Sequence, residues 1–313
     1  MRIDIRNYTS YLVFIVVFAV FAILLGDQGF LSVNNLINIV RQSVVIAIMA
    51  VGMVFVLSTA EIDLSVGSVA ALAAVTSAMT LPDYGFFAGV GMGLLVGIVV
   101  GLVNGLLTTT LRIPSFLTTL GTFGILSGLS RTVSNLVAIP VDDENFILVF
   151  GGGSIFNIPT LFIWMAVVVL IGHIVLRRTP FGRQVLATGG NRTAARFTGI
   201  RVNRIRIMAL LISSVCAALA GMILAGVLHG ARYDLAQTAN LNVIAAAVIG
   251  GTSLFGGKGS IVGAVVGSIL MAMLTNGLIL MNISVSNQMI AQGVVIIIAV
   301  ALMGLSEWGD RRG

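Results

Sequence analysis

The sequence predicts an all-α membrane protein, a polytopic bundle of about ten transmembrane helices with some broken or short. Three observations predict it. Apolar residues make up 58% of the 313, charged residues only 9%, and the mean hydropathy is +1.10. A water-soluble domain carries about 25% charged residues, so this chain has too little polar surface to cover a globule in water. Long apolar runs also recur from end to end, and the basic residues gather between particular runs rather than scattering.

Taken in order, the runs fall at roughly 10–26, 36–60, 65–81, 85–110, 115–131, 158–176, 207–228, 240–256, 259–281 and 288–305. The first is followed by Asp27, Gln28, Gly29 and Phe30 rather than by a small-residue cleavage site, so it is expected to stay as a first span. The third and eighth are short or glycine-rich and are expected as broken or partial spans. In the fourth, glycines at 89, 93, 97, 101 and 105 form one continuous helix face, and Gly259, Gly263 and Gly267 repeat the spacing in the ninth. In lipid, small residues four apart let two backbones approach closely.

Charge sets the direction. The loop 177–206 holds eight arginines and no acid, so it is expected on the cytoplasmic side. An even number of spans puts both termini, Arg112 and Lys258 on that same side. Asp27, Asp83, Asp142, Asp143, Glu144 and Asp234 then fall outside, where 132–157 is the one loop of substance. The location implied is the cytoplasmic, or inner, membrane, with the lipid bilayer as the solvent.

Polar residues inside such a chain are the candidates for function, because a charge at bilayer depth is kept only where it faces protein or water. The apolar run from Val44 ends at Ala60, and EIDLSVGS (61–68) separates it from the next run at Val69. Asp63 and Ser65 are good helix N-caps, so the stretch is expected to be a turn with Asp63 capping the third helix. It serves either as a cap and hinge or as the lining or gate of a translocation path. Glu61, Asp63, Ser65 and Ser68 are its candidate residues. Asn104 and Asn276, each before a glycine, are further candidates for the path or gate and are expected to bond across helices. Thr252 and Ser253, also candidates for the path or gate, lie in VIGGTSLFGGKGSIVG (248–263), irregular backbone tolerated only where it is buried or lines water. That stretch is not a phosphate-binding loop: with Gly257–Lys258 as the pair, Thr252 stands where the first glycine belongs and Gly259 where the hydroxyl belongs.

In the basic loop, NRTAARFTG (191–199) reads as one short helix, with Asn191 as N-cap and Gly199 just past its C-terminus. Arg192, Arg196 and Phe197 are expected to project into the cytoplasm, against anionic lipid or in a groove of a soluble partner. The single Cys216 allows no disulfide within the chain, and His173 and His229 form no metal-spaced cluster with it, so neither metal nor cofactor is expected.

Taken together, VGMVFVLSTAEIDLSVGSVAAL (51–72), RTPFGRQVLATGGNRTAARFTGIRV (178–202) and AVIGGTSLFGGKGSIVGAVVGSIL (247–270), in that order, resemble the permeases of bacterial ribose-type sugar ABC importers. LSVNNLINIVRQSVVIAIMAVGM (31–53) extends the likeness, which covers essentially the whole chain. Glu61 departs from it, standing where many members carry Gly. The resemblance implies a single permease domain over 1–313 with 177–206 as its coupling loop. It implies a pore made with a second permease subunit, identical or not. It implies a cytoplasmic ABC ATPase that docks on the coupling helix 191–199 and hydrolyses the ATP. A periplasmic or extracellular sugar-binding protein would deliver a monosaccharide or polyol. No nucleic-acid partner and no catalytic residue are implied. A branched-chain amino-acid-type ABC permease shares the general architecture. An ion-coupled secondary transporter, with Glu61 and Asp63 binding the ion, is the second alternative. An intramembrane aspartyl protease would need a second Asp meeting Asp63 in the membrane, and none lies near that depth.

Overall fold

The computed structural model describes residues 9–237, 239–295 and 297, and it is helical almost throughout. The helices are α1 (Thr9–Leu25), α2 (Val33–Ser58), α3 (Val66–Thr110), α4 (Ser115–Ser134), α5 (Glu144–Phe150), α6 (Thr160–Arg178), α7 (Pro180–Gly190), α8 (Arg192–Phe197), α9 (Val202–Val227), α10 (Ala239–Ile249) and α11 (Ile261–Leu280). Residues 285–295 are helical as well. The expected tenth run, 288–305, lies partly outside the described residues. Among those described, six helical stretches are long and apolar enough to cross a membrane.

The third and fourth runs are not separated by a loop. They are two arms of α3, broken at Gly85 (φ 76°, ψ −179°), a left-handed conformation that suits glycine. Gly89 faces Ser77 and Leu81, and Gly93 faces Ala73, so the arms run antiparallel.

The glycine face of α3 has a definite partner, α9. A Cβ on Gly101 would lie 2.6 Å from the Leu211 Cα, and one on Gly105 would lie 2.9 Å from the Ile207 Cα. The approach is reciprocal at Gly221 of α9, where a Cβ would meet the Ala70 carbonyl oxygen at 2.0 Å. Helix α2 packs on α9 in the same way through Gly52, against Ser213. Thus α9 is the axle of the bundle, held by backbone contact with α2 and both arms of α3. Gly263 and Gly267 of α11 make the corresponding approach to Gly250 and Ala246, at the end of α10.

The loop 132–157 is folded rather than open. Strand β1 (Ile139–Pro140) pairs with β4 (Gly230–Ala231), and β2 (Ser154–Ile155) pairs with β3 (Ile158–Pro159). Between them α5 begins at Asp143, whose side chain accepts from the Phe146 N–H at 2.8 Å. Phe150 of α5 stacks on Trp164 and meets Phe146 and Phe86 at a tilt, and the Trp164 indole donates to the Val149 carbonyl.

Adding one methyl group separates the axle from its neighbours. Gly221→Ala is expected to destabilise the protein by about 1–3 kcal/mol or more through overpacking, read as a lower unfolding temperature in detergent. Gly91→Ala, where a Cβ meets nothing within 4 Å, should not.

Candidate functional site

Between α2 and α3 the chain is unwound from Thr59 to Ser65, yet most of this backbone is buried. Ala60 sits at φ 59°, which ends α2. The unwound amides find partners that a lipid environment cannot supply. Glu61 N–H donates to the Val56 carbonyl. Ile62 N–H donates to Ser115 Oγ and Leu64 N–H to Thr119 Oγ1, each at 3.0 Å. Both hydroxyls come from the first turns of α4, four residues apart on one face.

Asp63 is fully buried and satisfied on both oxygens. Its Oδ1 accepts from the Ser65 N–H (2.9 Å) and hydroxyl (2.6 Å), and its Oδ2 accepts from Ser213 of α9 (2.8 Å). Ser65 Oγ in turn accepts from the Asn104 amide (3.1 Å), whose oxygen accepts from Thr122 of α4 (2.6 Å). Ser68 donates to the Ser65 carbonyl (2.9 Å). A continuous buried polar chain therefore runs Thr122–Asn104–Ser65–Asp63–Ser213 and ties α4, α3, the break and α9 together. The N-cap of α3 is Ser65 rather than the expected Asp63. Asp63 holds the Ser65 amide one step earlier, as a turn preceding the helix.

Glu61 faces the other way, toward the basic loop. As expected, α8 is capped by Asn191, whose side chain accepts from the Ala194 N–H at 3.0 Å, and closed by Gly199 at φ 84°. Phe197 stands 89% exposed, and Arg196 is exposed too. Arg192 does not project outward with them. It turns back to form an ion pair with Glu61 and donates to the Thr59 (3.3 Å) and Ala60 (3.0 Å) carbonyls. Arg206, in the first turns of α9, forms a second ion pair with the same Glu61 oxygen. The reason is electrostatic: Glu61 is only 3% exposed, and a buried carboxylate requires paired charge. Beside this clasp lies a cavity of about 710 Å3, reaching to the α3–α4 turn.

The second irregular stretch, 250–260, packs against the first. The Gly257 N–H donates to the Ser58 carbonyl at 3.0 Å, and Ser58 Oγ donates to the Lys258 carbonyl. Thr252 accepts from the Ser260 N–H and Ser253 from the Phe255 N–H, so both hydroxyls fold the loop. Arg177 donates to the Gly259 carbonyl, and Gly189 of α7 leaves no room for a Cβ against Ser58. Helix α7 itself was not among the expected elements, although Thr179 before Pro180 is an ordinary start signal. Asn276 stands apart from this assembly. It exchanges amide hydrogen bonds with Asn35 (3.0 and 2.9 Å), near the start of α2, about 35 Å of helix away from Ser58.

The sequence reading missed Ser115, Thr119, Thr122, Arg206 and Ser213. Four of these are hydroxyls inside apparent spans. The only visible signal was the pairing of hydroxyls four apart, 115 with 119 and 118 with 122.

Two interrupted helices that meet at a basic end, within a bundle of long apolar helices, define a multi-pass all-α membrane protein. The chain belongs to the family described as branched-chain amino acid transport system / permease component, whose profile matches residues 35–300. It is 36% identical to the ribose import permease of Haemophilus influenzae over 295 residues, 93% of this chain and 91% of that one. It is 38% identical to the ribose import permease of Bacillus subtilis over 278 residues, covering 88% and 86% of the two chains. The D-allose transport system permease of Escherichia coli is 34% identical over 298 residues, covering 95% and 91%. No solved structure matches the chain.

Removing the Asp63 carboxylate orphans the Ser65 amide and the Ser213 hydroxyl, each at about 1–3 kcal/mol when buried. Asp63→Ala is therefore expected to lower the unfolding temperature in detergent and to reduce transport with it. Unchanged values of both would refute a structural role for the polar chain from Thr122 to Ser213.

Proposed function

We propose that this chain is the membrane-spanning permease subunit of an ABC importer, forming the path of a monosaccharide or polyol across the bacterial inner membrane. ATP is hydrolysed by a separate cytoplasmic subunit, and a periplasmic or extracellular binding protein delivers the sugar to a pore completed by a second permease subunit. The observation that carries this reading is the linkage of α8 to the α2–α3 break. An exposed, doubly capped helix bearing Phe197 is joined through Arg192 to the Thr59 and Ala60 carbonyls and to Glu61. A push on α8 by a docked ATPase is thereby delivered to unwound backbone rather than to a rigid helix.

The whole of 1–313 acts as one permease domain, with 177–206 as its coupling loop and residues 191–199 as the ATPase contact. Counting both arms of α3 and the helical residues from 285, the described elements are compatible with ten spans, with α10 a half-span. Both termini then lie in the cytoplasm. The clustering of Arg112 and Arg192 at one cavity, and of Lys258 near Ser58, supports placing all three on the cytoplasmic side. In this reading the two breaks, with Glu61, Asp63, Ser65, Ser68, Asn104, Thr252 and Ser253, form the cytoplasmic gate. Asn276, clasped to Asn35, steadies the opposite mouth. A sugar is preferred to a branched-chain amino acid because the named relatives are ribose import permeases and a D-allose transport system permease.

Uptake in proteoliposomes containing the ATPase and binding protein tests the coupling. Phe197→Asp is expected to abolish ATP-driven sugar uptake, while gel filtration and unfolding temperature stay as in the wild type, since the side chain touches nothing that holds the fold. Normal uptake by this variant would remove α8 from the coupling route. Uptake driven by an ion gradient in the absence of the ATPase would instead favour a secondary transporter.

A further inference from the structure

We propose that the cavity beside Glu61 is a binding site for a phosphate-bearing anion. The cavity, about 710 Å3, is lined by Arg112, Arg192, Arg196 and Arg206 against the single carboxylate of Glu61. Sites for small ligands have volumes of about 300–1,000 Å3. Arg192 and Arg206 are engaged by Glu61. Among the described residues, Arg112 and Arg196 make no ion pair or side-chain hydrogen bond, so the wall has guanidinium groups to spare. Arg112 is held at φ 58°, a conformation uncommon for a side-chain-bearing residue, in the turn between α3 and α4. Thr108 also lines the cavity, its side chain is fully buried, and its hydroxyl has no hydrogen-bond partner.

Phosphate fits this wall better than a carboxylate, because it offers acceptors in several directions to arginines from three elements, α8, α9 and the α3–α4 turn. A bound phosphate would bridge Arg112 to Arg196, tying α8 to the α3–α4 turn, and would compete with Glu61 for Arg192 and Arg206. The same chemistry is presented by a free phosphate or phosphate ester in the cytoplasm and by an anionic phospholipid headgroup. The cytoplasmic placement rests on the orientation proposed above. Binding does not, so the test stands whether or not the chain proves to be a sugar permease.

The full chain, reconstituted in phosphatidylcholine nanodiscs, is titrated with inorganic phosphate against chloride at matched ionic strength, and thermal unfolding is followed. Phosphate is expected to raise the unfolding temperature saturably, and the double variant Arg112→Ala/Arg196→Ala to weaken that response by about tenfold or more. Both side chains are exposed and make no such bonds to other described residues, so the variant should fold. If it does not, Arg112→Gln alone must weaken phosphate by about threefold or more. A parallel set of discs contains phosphatidylglycerol. Loss of the phosphate response there, with phosphatidylglycerol retained by the wild type and not by the variant in native mass spectrometry, assigns the site to the headgroup. A response equal in both kinds of disc assigns it to a soluble phosphate. If neither phosphate nor phosphatidylglycerol distinguishes wild type from the variants, the cavity is not an anion site.

Discussion

Everything in this fold answers to one constraint: a backbone amide removed from water and not bonded within a helix must find its partner in the protein. The protein interrupts a helical path at 59–65 and meets that demand locally. Ser115 and Thr119 receive the Ile62 and Leu64 amides, Asp63 receives that of Ser65, and Arg192 caps the Thr59 and Ala60 carbonyls. The hydroxyl-rich face of α4 follows from this, as does the placing of α4 against α3. The glycine contacts follow as well. Only a bundle in which α9 approaches α2 and α3 backbone to backbone brings Ser213 within 2.8 Å of Asp63.

Much of this was legible in the sequence wherever the signal was local. The helix 192–197 could be drawn from its Asn cap and its closing glycine, because caps act within a turn. The break at 61–65 was visible as carboxylates between apolar runs, and the glycine face of α3 as a spacing. What the spacing does not contain is its partner. Gly221 and Gly52, isolated glycines in ordinary-looking spans, are the residues that admit α3 and α2 to α9. The expectation that Arg192 points to solvent failed for the same reason. Its role is set by Glu61, 131 residues away in sequence, and no periodicity encodes a long-range ion pair. Asn104 and Asn276 sit in the same Asn-Gly setting, yet one joins the buried polar chain and the other clasps Asn35 at the far end.

Glu61 is the residue through which local and long-range design meet. Two arginines share one of its oxygens, one from the short helix α8 and one from the axle α9. Arg192 is partly open to solvent at 40% side-chain exposure, whereas Arg206 is nearly closed off at 11%. Charge pairs weaken as solvent reaches them, so the α8 side of the clasp is the weaker one and the α9 side the anchor. In the proposed coupling, a movement of α8 would therefore strain the Arg192 side of the clasp before the Arg206 side. Under that proposal the interrupted helices would be the part that moves, and the glycine-packed contacts of α9 with α2 and α3 the part that stays. In this chain the acid at position 61 converts contact between the loop and the break into an ion-paired joint.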